Sequence, residues 1–150
     1  MPVAFTSVTP DPLDPAALQA LVENPRAGAV ATFVGRIRNH DPEASGEVAA
    51  IDYTHHPDAG RLLGEIVARV VGRLDPDGEA VVAVAHRVGR LEVGDVALVC
   101  CVATAHRELA FALCPAVVEA VKAELPIWKQ QFEESGRAVW SSLGLTTPAG

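Results

Sequence analysis

The chain has 150 residues, about one domain's worth, and its 49% apolar and 21% charged content excludes a largely disordered polymer. Its net charge of −7, from 19 acidic and 12 basic residues, disfavours general nucleic-acid binding, which needs a basic surface. No apolar run approaches the roughly 20 residues of a membrane-spanning helix. The opening Met1-Pro2-Val3-Ala4-Phe5 lacks the basic stretch and long apolar core of a secretory signal. Three cysteines, two of them adjacent at Cys100 and Cys101, form neither a disulfide framework nor a metal-knuckle spacing. A soluble cytoplasmic domain spanning residues 1–150 is expected.

In chain order, Met1 to Val8 reads as a short edge strand. Asp14-Pro15 is a helix start, an N-cap followed by proline at the first helical position, and Asn24-Pro25 is a stop, so Ala16 to Glu23 is a short helix. Gly28 to Gly35 (GAVATFVG) reads as a buried strand, and Asp41 to Gly46 as an exposed loop. Val48 to Thr54 is the next strand. Pro57 opens a helix in which Leu63, Ile66, Val67, Val70, Val71 and Leu74 form one apolar stripe, ended by the turn Asp75 to Gly78. Ala80 to His86 is a strand, VGRLEVGD a link, and Asp95 to Thr104 a strand apolar enough to be covered on both faces. A long helix runs from near Ala105 to about Leu125, with a kink expected at Pro115, which removes the bond to the Phe111 carbonyl, and Pro126 stops it. Gly136 marks a turn between two short terminal segments. Mixed helices and strands with short strand-to-strand links predict an α+β fold: two layers, a mostly antiparallel sheet with helices packed on it.

No phosphate-binding P-loop, GxGxxG, GxSxG or HExxH occurs. The basic residues are informative by type and place. Ten are arginine, and the only two lysines, Lys122 and Lys129, lie seven residues apart. A lysine amine can move a proton or act as a nucleophile where arginine cannot. Three places concentrate positive charge. Arg36 and Arg38 would share a face if strand geometry continues past Gly35, making a two-arginine anion grip, although a solvated strand end explains them equally well. His106 and Arg107 fall at a predicted helix N-terminus, where cations are unfavourable unless they join the amides in an anion site. Lys122 suits a helix C-terminus, and Lys129 follows a proline and a tryptophan that can wall a pocket. Together these would form a basic pocket for a small phosphorylated or carboxylate ligand. Neighbouring His55 and His56 are better read as a cap and a solvated side chain than as metal ligands, and the three thiols as core.

At these residues the sequence resembles the large, catalytic subunit of molybdopterin synthase. The matching pieces are GAVATFVGRIRNH (28–40), IDYTHHP (51–57), HRVGRLEVGD (86–95), TAHRELAF (104–111) and VKAELPIWKQQ (121–131), in order and covering most of residues 28–140. The resemblance implies an α/β hammerhead type of α+β fold and a sulfurtransferase. Such an enzyme adds two sulfurs to cyclic pyranopterin monophosphate, forming the dithiolene of molybdopterin. The sulfur arrives as a thiocarboxylate on the C-terminal Gly-Gly tail of a small ubiquitin-like partner, and the large subunits dimerise within a heterotetramer. No cofactor and no metal ion is implied.

Carried over by motif, Lys122 sits at the inserted tail and Lys129 beside the reacting pterin side chain. Arg38, His106 and Arg107 hold the substrate, particularly its phosphate, with Arg36 and Arg137 as further anion contacts. Phe33 and Val118 line the tunnel for the tail. His56 stands where an aromatic is expected, and Ser141-Ser142 begins a shorter tail than is usual. A pocket shared between two subunits is expected, because the three basic segments would otherwise converge from distant ends of one small fold. The competing readings are a non-catalytic module that binds a small anion or a partner tail, and, more weakly, a metal protein using His40, His55 and His56.

Overall fold

The structure, a computed structural model, describes residues 3–40, 46–133, 136 and 138–142, with the backbone alone at 141 and 142. Eight strands and three helices follow in the order β1 (Val3–Thr9), α1 (Pro15–Val22), β2 (Ala29–Arg36), β3 (Val48–His55), α2 (Ala59–Leu74), β4 (Val81–Arg87), β5 (Gly89–Glu92), β6 (Val96–Thr104), α3 (Arg107–Glu124), β7 (Ile127–Glu133) and β8 (Ala138–Ser142). They form two four-stranded sheets, β1-β4-β6-β2 and β5-β3-β7-β8. Only the β1–β4 pair is parallel among these pairings. The expected mixed, mostly antiparallel class is present, with the strands divided between two sheets.

The first sheet carries the core. On β4 and β6, Val82, Val84, Leu98, Cys100 and Val102 face α2 and α3, whose Leu63, Val67, Leu113 and Val117 close the main apolar cluster. The alternate residues Ala83, Ala85, Val99, Cys101 and Ala103 face Leu18 and Val22 of α1. Strand β6 is therefore covered on both faces, as its unbroken apolar run predicts. Cys100 and Cys101 point into opposite layers. Asp14 caps α1 by accepting from the Ala16 backbone N–H at 3.0 Å, with Pro15 at the first helical position.

Two strand expectations need correction. Gly28 to Gly35 was expected as a buried strand, yet β2 is a sheet edge whose residues alternate between half-buried and exposed. Its outer residues Val30 and Val34 are left facing outward. The VGRLEVGD link contains β5, which pairs with β3 in the second sheet rather than simply joining β4 to β6. Gly89, at φ 87°, sits where the chain leaves one sheet for the other, a conformation that disfavours any residue with a Cβ. Of the expected loop at Asp41 to Gly46, residues 41–45 lie outside the described residues, and Gly46 is exposed.

Gly28 holds the start of β2 against the turn between β6 and α3, where an added Cβ would stand 2.7 Å from the Ala105 carbonyl oxygen. Gly28→Ala should therefore lower stability by about 1–3 kcal/mol in urea denaturation, as overpacking against backbone does. Gly72 in α2 is exposed with nothing within 4 Å of an added Cβ. Gly72→Ala should raise stability by about 0.5–1 kcal/mol through helix propensity.

Candidate functional site

Helix α3 carries Lys122 in its last turn and ends at Glu124. Leu125 is already extended, at φ −68° and ψ 125°, as a residue before proline prefers. Pro126 then turns the chain into β7, on which side chains alternate, so that Ile127, Lys129 and Gln131 share one face. Lys129 lies opposite Tyr53 of β3 in register, and Gln131 opposite Ile51. Seven residues of sequence thus bring both amines of the chain, one from a helix and one from a strand, to the same place.

That place is a cavity of about 260 Å³ between the two sheets, lined by both lysines together with Arg36, Arg38, His40, Tyr53, His86 and Gln131. Four of its lining residues are permanent or ordinary cations, and none is an aspartate or glutamate. In a chain of net charge −7, this is a local inversion of sign. Low-dielectric walls such as Ile51, Leu98, Leu125 and Ile127 strengthen its field.

The arginine pair is arranged differently from a continuing strand. β2 ends at Arg36, where the register with β6 shifts, and Ile37 bonds instead to the Asp95 carbonyl. Arg36 donates from Nε and Nη2 to the Gly94 carbonyl oxygen at 3.2 and 3.0 Å, so part of its guanidinium holds the β5–β6 turn. Arg38 is exposed at the cavity wall and has no hydrogen-bond or ion-pair partner among the described residues. It is the better placed of the two for an anion.

Phe33 and Val118 flank the Lys122 side. The Lys122 Nζ lies 5.7 Å from the Phe33 ring centroid, a cation–π arrangement, and Val118 is one turn earlier on α3. Val118 is buried in the main core cluster. His106 and Arg107 are exposed at the opposite end of α3, about 22 Å from Lys122 along an 18-residue helix. They do not line the cavity. His106 occupies the N-cap position without a side-chain capping bond, leaving the first amides of α3 open to an anion. Arg137 lies outside the described residues.

His86, Tyr53 and Gln131 were not singled out by the sequence reading. His86 is 6% exposed and its Nδ1 lies 2.7 Å from the Arg87 carbonyl oxygen, which fixes the proton on Nδ1 and leaves Nε2 an acceptor. Burial, aided by the charge of Lys122, pushes its pKa down to about 4, so the ring is neutral at physiological pH. Tyr53 meets it edge-on at 5.1 Å. The signal for Gln131 was its two-residue spacing from Lys129, which only a strand assignment turns into a shared face.

The histidine pair behaves as expected of a junction. His56 Nδ1 accepts from the Asp58 backbone N–H at 3.0 Å ahead of α2, and both rings are exposed. Among the described residues no group of three His, Cys, Asp or Glu gathers to hold a metal. All three thiols are free and buried, and Cys100 is pushed well up by its hydrogen bond with Cys114 and by burial. None is poised as a nucleophile.

The sequence profile of the family described as MoaE protein matches residues 8–124. The molybdopterin synthase catalytic subunit 1 of Mycobacterium tuberculosis is 34% identical over 137 residues, covering 91% of this chain and 89% of that protein. The solved molybdopterin biosynthesis MoaE protein of Burkholderia ambifaria superposes with a TM-score of 0.73 at 34% identity, over 96% of this chain and 92% of that one. The molybdopterin synthase structure from Staphylococcus aureus, at 24% identity, shares the fold with a TM-score of 0.79 over 89% of this chain and 94% of that one.

The depressed His86 pKa makes a stability prediction with a definite sign. Above about pH 6.5 the ring is neutral folded and unfolded, and the group is silent. As pH falls toward 4, the unfolded chain takes up the proton first and the native state loses ground by about 1.4 kcal/mol per unit. Urea melts at pH 7.5 and pH 5 should show wild type losing about 2 kcal/mol more than His86→Gln over that interval.

Proposed function

Because the chain belongs to the MoaE protein family, we propose that the cationic cavity is the site where a molybdopterin synthase transfers sulfur to cyclic pyranopterin monophosphate. In this reading the chain is the catalytic, sulfur-transferring subunit, as its relatives are named, and its partner is a small ubiquitin-like carrier with a Gly-Gly thiocarboxylate. The observation that carries this reading is the convergence of Lys122 and Lys129, from α3 and β7, with Arg38 in one cavity free of carboxylates.

The physical argument starts from charge. A thiocarboxylate and a cyclic phosphate are both anions, so bringing sulfur to carbon requires fixed positive charge that is in place before they meet. Arg38 holds the phosphate, with Arg36 beside it. Exposed Lys122, with Phe33 and Val118 alongside, receives the carrier's terminus. Lys129, half-buried and farther in, stands by the pterin side chain and supplies the proton transfers that phosphate opening and loss of water require. Among the described residues no aspartate or glutamate lines the cavity beside these cations.

His106 and Arg107 enter the site from a second copy of the chain. They cannot reach the cavity of their own subunit, and they stand on a face made for covering. Phe111, one turn along α3, is 68% exposed there. The cavity's volume is at or below the lower limit of complete small-molecule sites, as expected of one closed by another surface. Residues 1–150 act as one domain, and two copies with two carriers make a heterotetramer. Arg137 remains a candidate for a further anion contact. Among the described residues no helix is long and apolar enough to cross a membrane. The three free thiols suit the reducing cytoplasm, where this reading places the protein.

Synthesis of molybdopterin from the thiocarboxylated carrier and cyclic pyranopterin monophosphate, read as its fluorescent oxidation product, tests the activity. Lys122→Ala and Lys129→Ala should each lose about 10²–10⁴-fold in rate. Tight carrier binding by wild type without any product would favour a binding module instead. The shared pocket has its own test. A mixture of Lys122→Ala and Arg107→Ala subunits should regain activity through hybrid dimers with one intact pocket, whereas an inactive mixture would place the whole site in one subunit.

A further inference from the structure

Gln131 lines the cavity and is 0% exposed, yet neither its Nε2 nor its Oε1 has a hydrogen-bond partner among the described residues. Its row across the second sheet is apolar: Ile51 lies opposite it and Leu91 beyond. A buried amide without partners destabilises the fold, and a methionine would fill the same volume without that loss. The amide shares a face of β7 with Lys129 and belongs to the same cavity, so a bound ligand is the natural source of its missing partners.

We propose that the Gln131 carboxamide is a specificity-determining contact for the heterocycle of the substrate, pairing with the lactam edge of the pterin. A primary amide donates through Nε2–H and accepts through Oε1, and a ring lactam offers the matching carbonyl and N–H side by side. The inference rests on the reading of the cavity as the pterin site and adds a division of labour to it. Arg38 and the lysines read charge, while Gln131 reads the neutral ring. An ionised carboxylate at 131 could only accept. The neutral His86 ring, with Nε2 as acceptor, gives the same wall a second uncharged group for a ring N–H or amino group.

The inserted backbone of the carrier's Gly-Gly tail also offers an N–H and a carbonyl, so the test separates the two sources. Full-length wild type and Gln131→Met are titrated with cyclic pyranopterin monophosphate, with inorganic phosphate and with the unthiolated carrier. The variant should melt at or above the wild-type temperature, bind the pterin about 10–100-fold more weakly, and keep its affinity for phosphate and carrier. In turnover, KM for the pterin should rise by a larger factor than kcat falls. Unchanged pterin affinity would overturn the assignment, and so would a loss confined to the carrier.

If Gln131→Met does not fold, the wild-type side-chain amide resonances decide. A shift with the pterin and none with phosphate supports the contact, and no shift with the pterin overturns it. A wild-type protein that fails to bind the pterin at all would overturn the site reading itself, and that result is visible before any variant is made.

Discussion

The arrangement of this molecule turns on the chain reversal at Leu125-Pro126. Proline denies α3 its next residue and forces Leu125 into extended geometry, while the Leu125 side chain, 1% exposed, is anchored in the main core. The Pro126 carbonyl accepts from the His56 backbone N–H, tying the end of β3 to the same point. Helix α3 belongs to the first sheet's layer and β7 to the second sheet, so this reversal is where the two halves of the core are registered. Lys122 and Lys129 stand on either side of it. Their separation is set by backbone geometry rather than by flexible loop closure, which is how an amine pair is held in fixed relation to two reactants.

Charge is distributed around that point with a clear division. Arginines away from the cavity meet carboxylates at the surface: Arg61 with Asp58 and Glu65, Arg90 with Glu92, and Arg69 with Glu124. The Arg69–Glu124 pair links α2 to the last turn of α3 and occupies the acid two residues from Lys122. Such exposed pairs contribute little to stability. The consequence of the Arg69–Glu124 pair is placement, since it engages the carboxylate nearest in sequence to Lys122.

The cavity is also where local rules of stability are broken. His86 is buried neutral, its pKa pushed down to about 4 by that burial, and the Gln131 side-chain amide is buried without a hydrogen-bond partner among the described residues. Elsewhere the described core is apolar, and its buried polar groups are engaged, as Asp75 is by the backbone N–H groups of Glu79 and Ala80. Departures gathered in one place mark a site whose full complement of contacts includes its ligands.

Much of this was legible in the residues. The Asp14-Pro15 start of α1, the apolar stripe of α2 and the unbroken apolar run of β6 are local patterns, and local patterns decide element type and which face is buried. The lysine pair and the motifs around it likewise pointed to small-anion chemistry and to the family. What only the tertiary structure decided is pairing. Four residues of VGRLEVGD become β5 because β3 offers them a partner, and GAVATFVG becomes an edge because nothing among the described residues pairs with its outer side. Arg36 and Arg38 reach the lysines, while His106 and Arg107 do not, because the length of α3 separates them. His86 and Gln131 lie at the ends of two of the matching pieces but received no role from them, since burial and missing partners exist only once the chain has closed around them. Periodicity is written along the chain; neighbours across a sheet are a property of the fold.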